Sequence, residues 1–202
     1  MSNTTLTSFT VNPIERANGT YALRLCLTQL SAAQMRLLTE VMETYDLPSL
    51  KATTGQRMNL EGIPKDKLHD VLAALGFERE KPLPKCPPAI TLCPGAGVCK
   101  FGAGATDPLA DKLATLLAAH GPYPGKIKGA VSGCKRSCAL SYVRDVGLVA
   151  GAKGWKVFFG GTGGTGGKGA ASGLLLAEGL SEEQALELIA KALEFYKGHG
   201  TK

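Results

Sequence analysis

The sequence predicts an α+β chain of 202 residues in two unlike halves, 1–82 and 83–202. Three observations carry that prediction. From 21 to 76, apolar alternation and helical stripes follow one another in the order strand, helix, strand, strand, helix. A proline-rich segment, 81–88 (KPLPKCPP), then interrupts the pattern. Beyond it the chain becomes rich in glycine and cysteine, while short apolar strands and helices continue to alternate.

Residues 21–27 (YALRLCL) alternate and read as a strand. Ser31 is placed to cap a helix running to about Tyr45, with Ala33, Leu37, Leu38 and Val41 as its apolar face. Strands follow at 50–53 and 56–62. Pro64 opens a second helix with the stripe Leu68, Val71, Leu72 and Leu75, and Gly76 ends it. This β-α-β-β-α order reads as part of a ferredoxin-like layer. In the second half, 89–92 is a strand, 93–104 a glycine-rich loop, 108–120 a helix, and 126–132 a strand running into Gly133. A short helix is expected to begin at Cys134 and reach Ser141. Strands at 146–150 and 155–159 flank a turn at Lys153 and Gly154. After the glycine tract 160–169, Ser181 caps the last helix, 182–196, supported by Glu183 and Gln184.

Composition narrows the function classes. A hydrophobic share of 44% excludes a disordered or fibrous chain. No apolar run is long enough to span a bilayer, and the polar N-terminus has no signal-like core, so a cytoplasmic protein with no membrane partner is expected. The net charge of +6 is spread along the chain with few aromatics. That pattern suits small anionic ligands better than nucleic acid. Gly161, Gly163 and Gly166 also fit G-x-G-x-x-G, but only one helix follows, too few elements for a dinucleotide fold. The tract reads instead as a loop over acid groups, with donors from its backbone.

Six cysteines stand at 26, 86, 93, 99, 134 and 138. A disulfide framework is not expected in a reducing compartment. Cys26 reads as strand core, and Cys86 has no assigned role. The remaining four form C-x5-C and C-x3-C. Structural zinc favours tighter pairs, and a redox disulfide favours C-x-x-C. A cubane iron–sulfur cluster needs four converging thiolates. Four residues apart on a helix, Cys134 and Cys138 would share one face, while Gly95 and Gly97 let the first loop wrap a bulky cluster.

On this cysteine pattern the chain resembles the siroheme and [4Fe-4S] nitrite and sulfite reductases. Residues 54–63 (TGQRMNLEGI) resemble a segment found in the siroheme part of NAD(P)H nitrite reductases. Lys126-Ile127-Lys128 ahead of Ser132-Gly133-Cys134, then Asp145-Val146-Gly147-Leu148, Gly154-Trp155 and Phe159-Gly160-Gly161, are similar as well. The likeness runs from about 21 to 196, and the compact single-repeat length resembles the small assimilatory-type sulfite reductases.

The resemblance implies a ferredoxin-like half domain over 1–82 and a siroheme and [4Fe-4S] domain over 83–202. It implies a cluster on Cys93, Cys99, Cys134 and Cys138, with Cys138 also the axial ligand of siroheme iron. Arg57, Lys126 and Lys128 would act on substrate. Lys100, Lys135, Arg136 and Lys168 would pair with siroheme carboxylates. The implied reaction is six-electron reduction of sulfite to sulfide. The alternatives are nitrite reduction to ammonia at the same site, or a non-catalytic iron–sulfur electron carrier or sensor that kept the fold. Electrons would come from an external ferredoxin-like donor. Gly55 stands where many members carry arginine, and Arg57, two residues on, would point to the same side of a strand. The second cysteine pair encloses Lys135-Arg136-Ser137 where Pro-Asn is usual. One repeat in place of two implies either a homodimer that restores the missing half or a monomer that builds a reduced pocket from its single repeat.

Overall fold

The computed structural model describes residues 10–26, 29–78, 81–83, 85–164 and 169–200, and its contacts divide the chain into Met1–Pro87 and Pro88–Lys202.

The first unit runs β1 (Val11–Glu15), β2 (Tyr21–Leu25), α1 (Ala32–Thr44), β3 (Ser49–Ala52), β4 (Met58–Ile63) and α2 (Leu68–Ala74). Its sheet has the order β1-β2-β4-β3 with every neighbour antiparallel. β1 has no counterpart among the expected strands, because Pro13 interrupts its sequence. The proline is tolerated there because β1 lies at the edge of the sheet. Ser31 caps α1 as expected. Its hydroxyl accepts from Gln34 N–H at 3.2 Å, and the Gln34 side chain accepts from Ser31 N–H at 2.8 Å. Leu38 and Val41 of α1 and Val71 of α2 pack with Leu23, Leu25, Leu60 and Ile63 in the core.

Two expectations in this unit are corrected. The strand expected over 56–62 begins only at Met58, because residues 53–57 form a tight turn. Thr53 N–H donates to Arg57 O at 2.7 Å, and Gln56 takes a left-handed φ of 55°. Gly55 and Arg57 therefore do not alternate along one strand. Cys26 and Cys86 form a disulfide with a Cα–Cα distance of 5.7 Å, so neither is a plain core or linker residue. The bond ties the proline-rich segment to the end of β2 across 60 residues, a pairing to which local spacing gives no clue.

The second unit runs β5 (Ala89–Leu92), α3 (Asp107–His120), β6 (Lys128–Ser132), β7 (Val146–Gly151), β8 (Gly154–Phe159), β9 (Leu174–Leu180) and α4 (Glu182–His199). The strands lie in chain order. β5, β6 and β7 are parallel, and β8 and β9 add antiparallel to one side. Leu109, Leu113 and Leu117 recur every fourth residue on α3, and Ala185, Ile189 and Leu193 do so on α4. All six are fully or almost fully buried against Val131, Leu148, Trp155 and Val157. β9 was not expected: LLLAEGL alternates poorly, and its Leu174 and Leu175 are exposed at the sheet edge. Ser181 and Gln184 form the expected capping box. Among the described residues, no helix is long and apolar enough to cross a membrane.

Candidate cofactor and anion site

β5 and β6 are adjacent and parallel, pairing Leu92 with Val131. Each is followed at once by a cysteine loop, Cys93 after β5 and Gly133-Cys134 after β6. The sheet thus delivers both cysteine pairs from the carboxyl ends of neighbouring parallel strands, where open α/β sheets place ligands. Glycine makes the junction possible. A Cβ on Gly133 would lie 2.7 Å from the Cα of Gly95 and 3.0 Å from the carbonyl oxygen of Gly104. Gly95 itself has φ +64° and no room for a side chain beside Thr106. The two loops therefore meet backbone to backbone. Gly133 N–H donates to Cys93 Sγ at 3.1 Å, and Ala103 N–H to Gly133 O at 2.7 Å. The Thr106 hydroxyl donates to Cys93 O at 2.6 Å.

The short helix expected from Cys134 does not form. Residues 134–140 make successive turns, with Ser137 N–H on Cys134 O at 3.1 Å and Leu140 N–H on Ser137 O at 2.7 Å. Ser137 and Leu140 have left-handed φ values of 53° and 64°, which a continuous right-handed helix forbids. Cys134 and Cys138 are consequently presented by a folded-back loop and not by one helix face. Two buried contacts hold that loop on the sheet. The Thr91 hydroxyl donates to Ala139 O at 2.8 Å, and the Ser132 and Ser141 hydroxyls share a bond of 2.8 Å. All four remaining cysteines are free thiols, three partly buried and Cys138 exposed.

The same loop ends in a second feature. Lys126, Lys128, Val143, Arg144, Asp145 and the backbone of 161–164 enclose a pocket of about 370 Å³. The expected strand over 126–132 starts only at Lys128, so Lys126 precedes it. Ile127, between the two lysines, is buried in the helix-packed core, and both lysines are exposed on the pocket side. By strand alternation Lys128 shares a face with Ser132, the face that the second cysteine loop covers. Asp145, the one carboxylate of the lining, accepts from the Lys128 backbone N–H at 2.8 Å. Arg144, which composition and spacing did not single out, contributes a third cation. Its Nε is buried and has no hydrogen-bond partner among the described residues.

The glycine tract supplies shape more than donors. Gly160 N–H bonds Asp145 O, Gly161 N–H bonds Arg144 O, Thr162 N–H bonds Ala171 O, and Gly164 N–H bonds the Thr162 hydroxyl. Those amides are engaged within the protein, so the expected row of free backbone donors is absent over 160–162 and at 164. Lys168 lies outside the described residues. Lys100 and Arg136 both stand over the Phe101 ring, at 5.0 and 3.8 Å, which brings the two cysteine loops together a second time. Lys135 is exposed beside them, and its carbonyl accepts from Tyr142 O–H at 3.2 Å. Arg57 belongs to the first unit, where it donates to Pro87 O at 2.6 Å. Burial, with the nearby charge of Arg24 second, holds its pKa below the ordinary arginine value.

The residues present fit an iron–sulfur cluster and a large anionic ring. Four free thiols stand on two adjoining loops locked together by glycine. Among the described residues, no three His, Cys, Asp or Glu side chains close around a single metal ion; a cubane is wider than one ion and holds its thiolates farther apart. Ser137 between the second pair has a buried hydroxyl with no partner among the described residues, an available donor toward sulfur. Val98, Phe101 and Leu140 on the cysteine loops are large exposed apolar side chains, suited to the face of a macrocycle.

Fold and site together define a two-unit α+β protein with a cysteine-rich cluster centre and a cationic pocket on one sheet. Residues 85–202 match the Nitrite and sulphite reductase 4Fe-4S domain, and residues 14–77 the Nitrite/Sulfite reductase ferredoxin-like half domain; the chain belongs to this family of nitrite and sulfite reductases. Family membership brings a [4Fe-4S] cluster and siroheme as cofactors. The chain is 34% identical to an assimilatory-type sulfite reductase of Nitratidesulfovibrio vulgaris, over 94% of this chain and 86% of that protein. It is 31% identical to the NAD(P)H nitrite reductase of Bacillus subtilis, over 95% of this chain but 24% of that protein. The fold is that of Mycobacterium tuberculosis NirA, with a TM-score of 0.71 over 95% of this chain and 38% of NirA, at 20% identity.

Proposed function

We propose that the chain reduces sulfite to sulfide with electrons from a separate donor protein. The cationic pocket of Lys126, Lys128 and Arg144, on the face covered by the second cysteine loop, is the observation that carries this reading. Cys93, Cys99, Cys134 and Cys138 would hold the cluster, and the exposed Cys138 would offer its sulfur to the siroheme iron. When bound, siroheme supplies an iron with an open position for the anion and a route for electrons from the cluster. The protein's part is to bind, polarise and protonate. Lys126 and Lys128 present ammonium donors to the oxygens of a small anion and supply protons as those oxygens leave. Overall, sulfite, six electrons and the matching protons give sulfide and water.

Sulfite is preferred over nitrite because the sulfite reductase relative is matched over most of its length, whereas the nitrite reductase is matched over about a quarter. The same cations serve either anion. The test is turnover of the purified holoprotein with a chemical one-electron reductant, comparing kcat/KM for sulfite and nitrite. A higher value for sulfite is expected. Higher turnover of nitrite would reassign the substrate, and no turnover of either by a protein with full cluster and siroheme would make it an electron carrier.

A further inference from the structure

We infer that Arg144 is an oxyanion-binding residue of the pocket, the third cation beside Lys126 and Lys128. The inference rests on the proposed reductase reading and adds to it a residue that the motif comparison leaves out. Its backbone is fixed from the glycine tract: Gly161 N–H donates to Arg144 O at 3.0 Å. A Cβ on Gly161 would lie 2.7 Å from that same oxygen, so the tract runs flush along the arginine. The side chain is different. Nε is buried and meets no acceptor among the described residues. A buried cationic N–H without an acceptor is costly, and structures rarely leave one so. The carboxylate next to it in the chain, Asp145, is already engaged by the Lys128 backbone N–H. The pocket lines three cations against one carboxylate, and among the described residues Arg144 Nε has no acceptor.

The planar guanidinium fork of arginine matches an oxyanion with two parallel hydrogen bonds, which an ammonium cannot copy. Two oxyanions are available under the proposed function. One is a carboxylate of the tetrapyrrole, and the other is the substrate itself. Both have the same chemistry at Arg144.

The experiment uses the whole chain purified with its cofactors, as wild type, Arg144→Gln and Arg144→Lys. Siroheme per chain after gel filtration, cluster iron and sulfide, and kcat and KM for sulfite are measured. If Arg144 holds a carboxylate of the ring, Arg144→Gln loses siroheme about tenfold more readily while cluster content stays the same. If it holds substrate, siroheme is retained and KM for sulfite rises about tenfold with kcat changed less. Arg144→Lys should show the same effect at smaller size, since it keeps the charge and loses the fork. Unchanged pigment retention and unchanged KM in Arg144→Gln overturn the inference. Should Arg144→Gln fail to fold, wild-type behaviour of Arg144→Lys in both readouts overturns it equally. A wild-type chain without siroheme would sink the proposed function and not this assignment. Calorimetric titration of sulfite into the chain as purified then decides: about tenfold weaker binding by Arg144→Gln supports the inference, and equal binding ends it.

Discussion

Cys134 leaves the end of β6 beside Gly133, whose N–H already bonds the sulfur of Cys93. If these thiols share one cluster, removing either side should empty it. Cys134→Ser is expected to lower iron and acid-labile sulfide well below those of the wild type. Full cluster content in that variant would refute the ligand set. The lysines are tested separately because they sit at the other end of β6. Lys128→Ala is expected to keep the siroheme spectrum and lose most of the turnover, since it removes a proton-donating cation and not a folding contact. Turnover equal to wild type in Lys126→Ala, Lys128→Ala and the double variant would make both surface charges.

Among the elements, the connection from β6 to β7 has the tightest constraints. It must carry Cys138 outward between two left-handed residues, Ser137 and Leu140, and re-enter the sheet at Val146. Gly147 takes the returning loop at close range: a Cβ there would stand 1.8 Å from the Ser141 carbonyl oxygen. No flexible side chain can yield at that point, because the obstacle is backbone. Gly147→Ala should cost roughly 2 kcal/mol or more of stability by overpacking, read as a lower denaturation midpoint and a loss of cluster. Gly163→Ala is the matched comparison, since a Cβ there meets nothing within 4 Å, and its midpoint should stay near that of the wild type. Similar losses in both would show that glycine flexibility, and not the close approach, governs the loop.

At the scale of the whole molecule, β6 separates the two functional groups of one chain. Its five residues span about 16 Å, with Lys128 at the start and Cys134 just past the end. We propose that two copies pair so that the lysines of one face the cluster centre of the other. Mixing a Cys134→Ser chain with a chain carrying both Lys126→Ala and Lys128→Ala, under conditions that exchange subunits, should then restore part of the activity. A fully active monomer by light scattering rules the shared site out. The donor is expected to be an acidic ferredoxin-like protein docking on the basic patch around Lys100, on the first cysteine loop. Its reduction rate should fall as ionic strength rises. Salt-independent rates with every acidic donor tried would count against that surface.

Much of this molecule was legible along the chain because the signals are local. Periodic apolar positions and side-chain caps placed α1 and α4, since a helix is specified by residues three and four apart. Lys126 precedes β6, so strand alternation does not place it, yet it lines one pocket with Lys128. The cysteine spacing pointed to the family that the domain matches confirm. Other features were settled only in three dimensions. Cys134 to Ser141 has the composition of a helix start, yet a hydrogen bond from Thr91, 48 residues from Ala139, and the Ser132–Ser141 pair hold it in turns. The edge strands β1 and β9 carry no alternation to read, because Pro13 interrupts β1 and the run LLLAEGL of β9 leaves Leu174 and Leu175 exposed. Cys26 and Cys86 meet across 60 residues. Arg144 looks like any arginine ahead of a strand until the sheet carries it to the two lysines and buries its Nε with no acceptor among the described residues. Local periodicity is written in neighbouring residues, whereas burial and the lack of a partner depend on what the rest of the chain brings alongside.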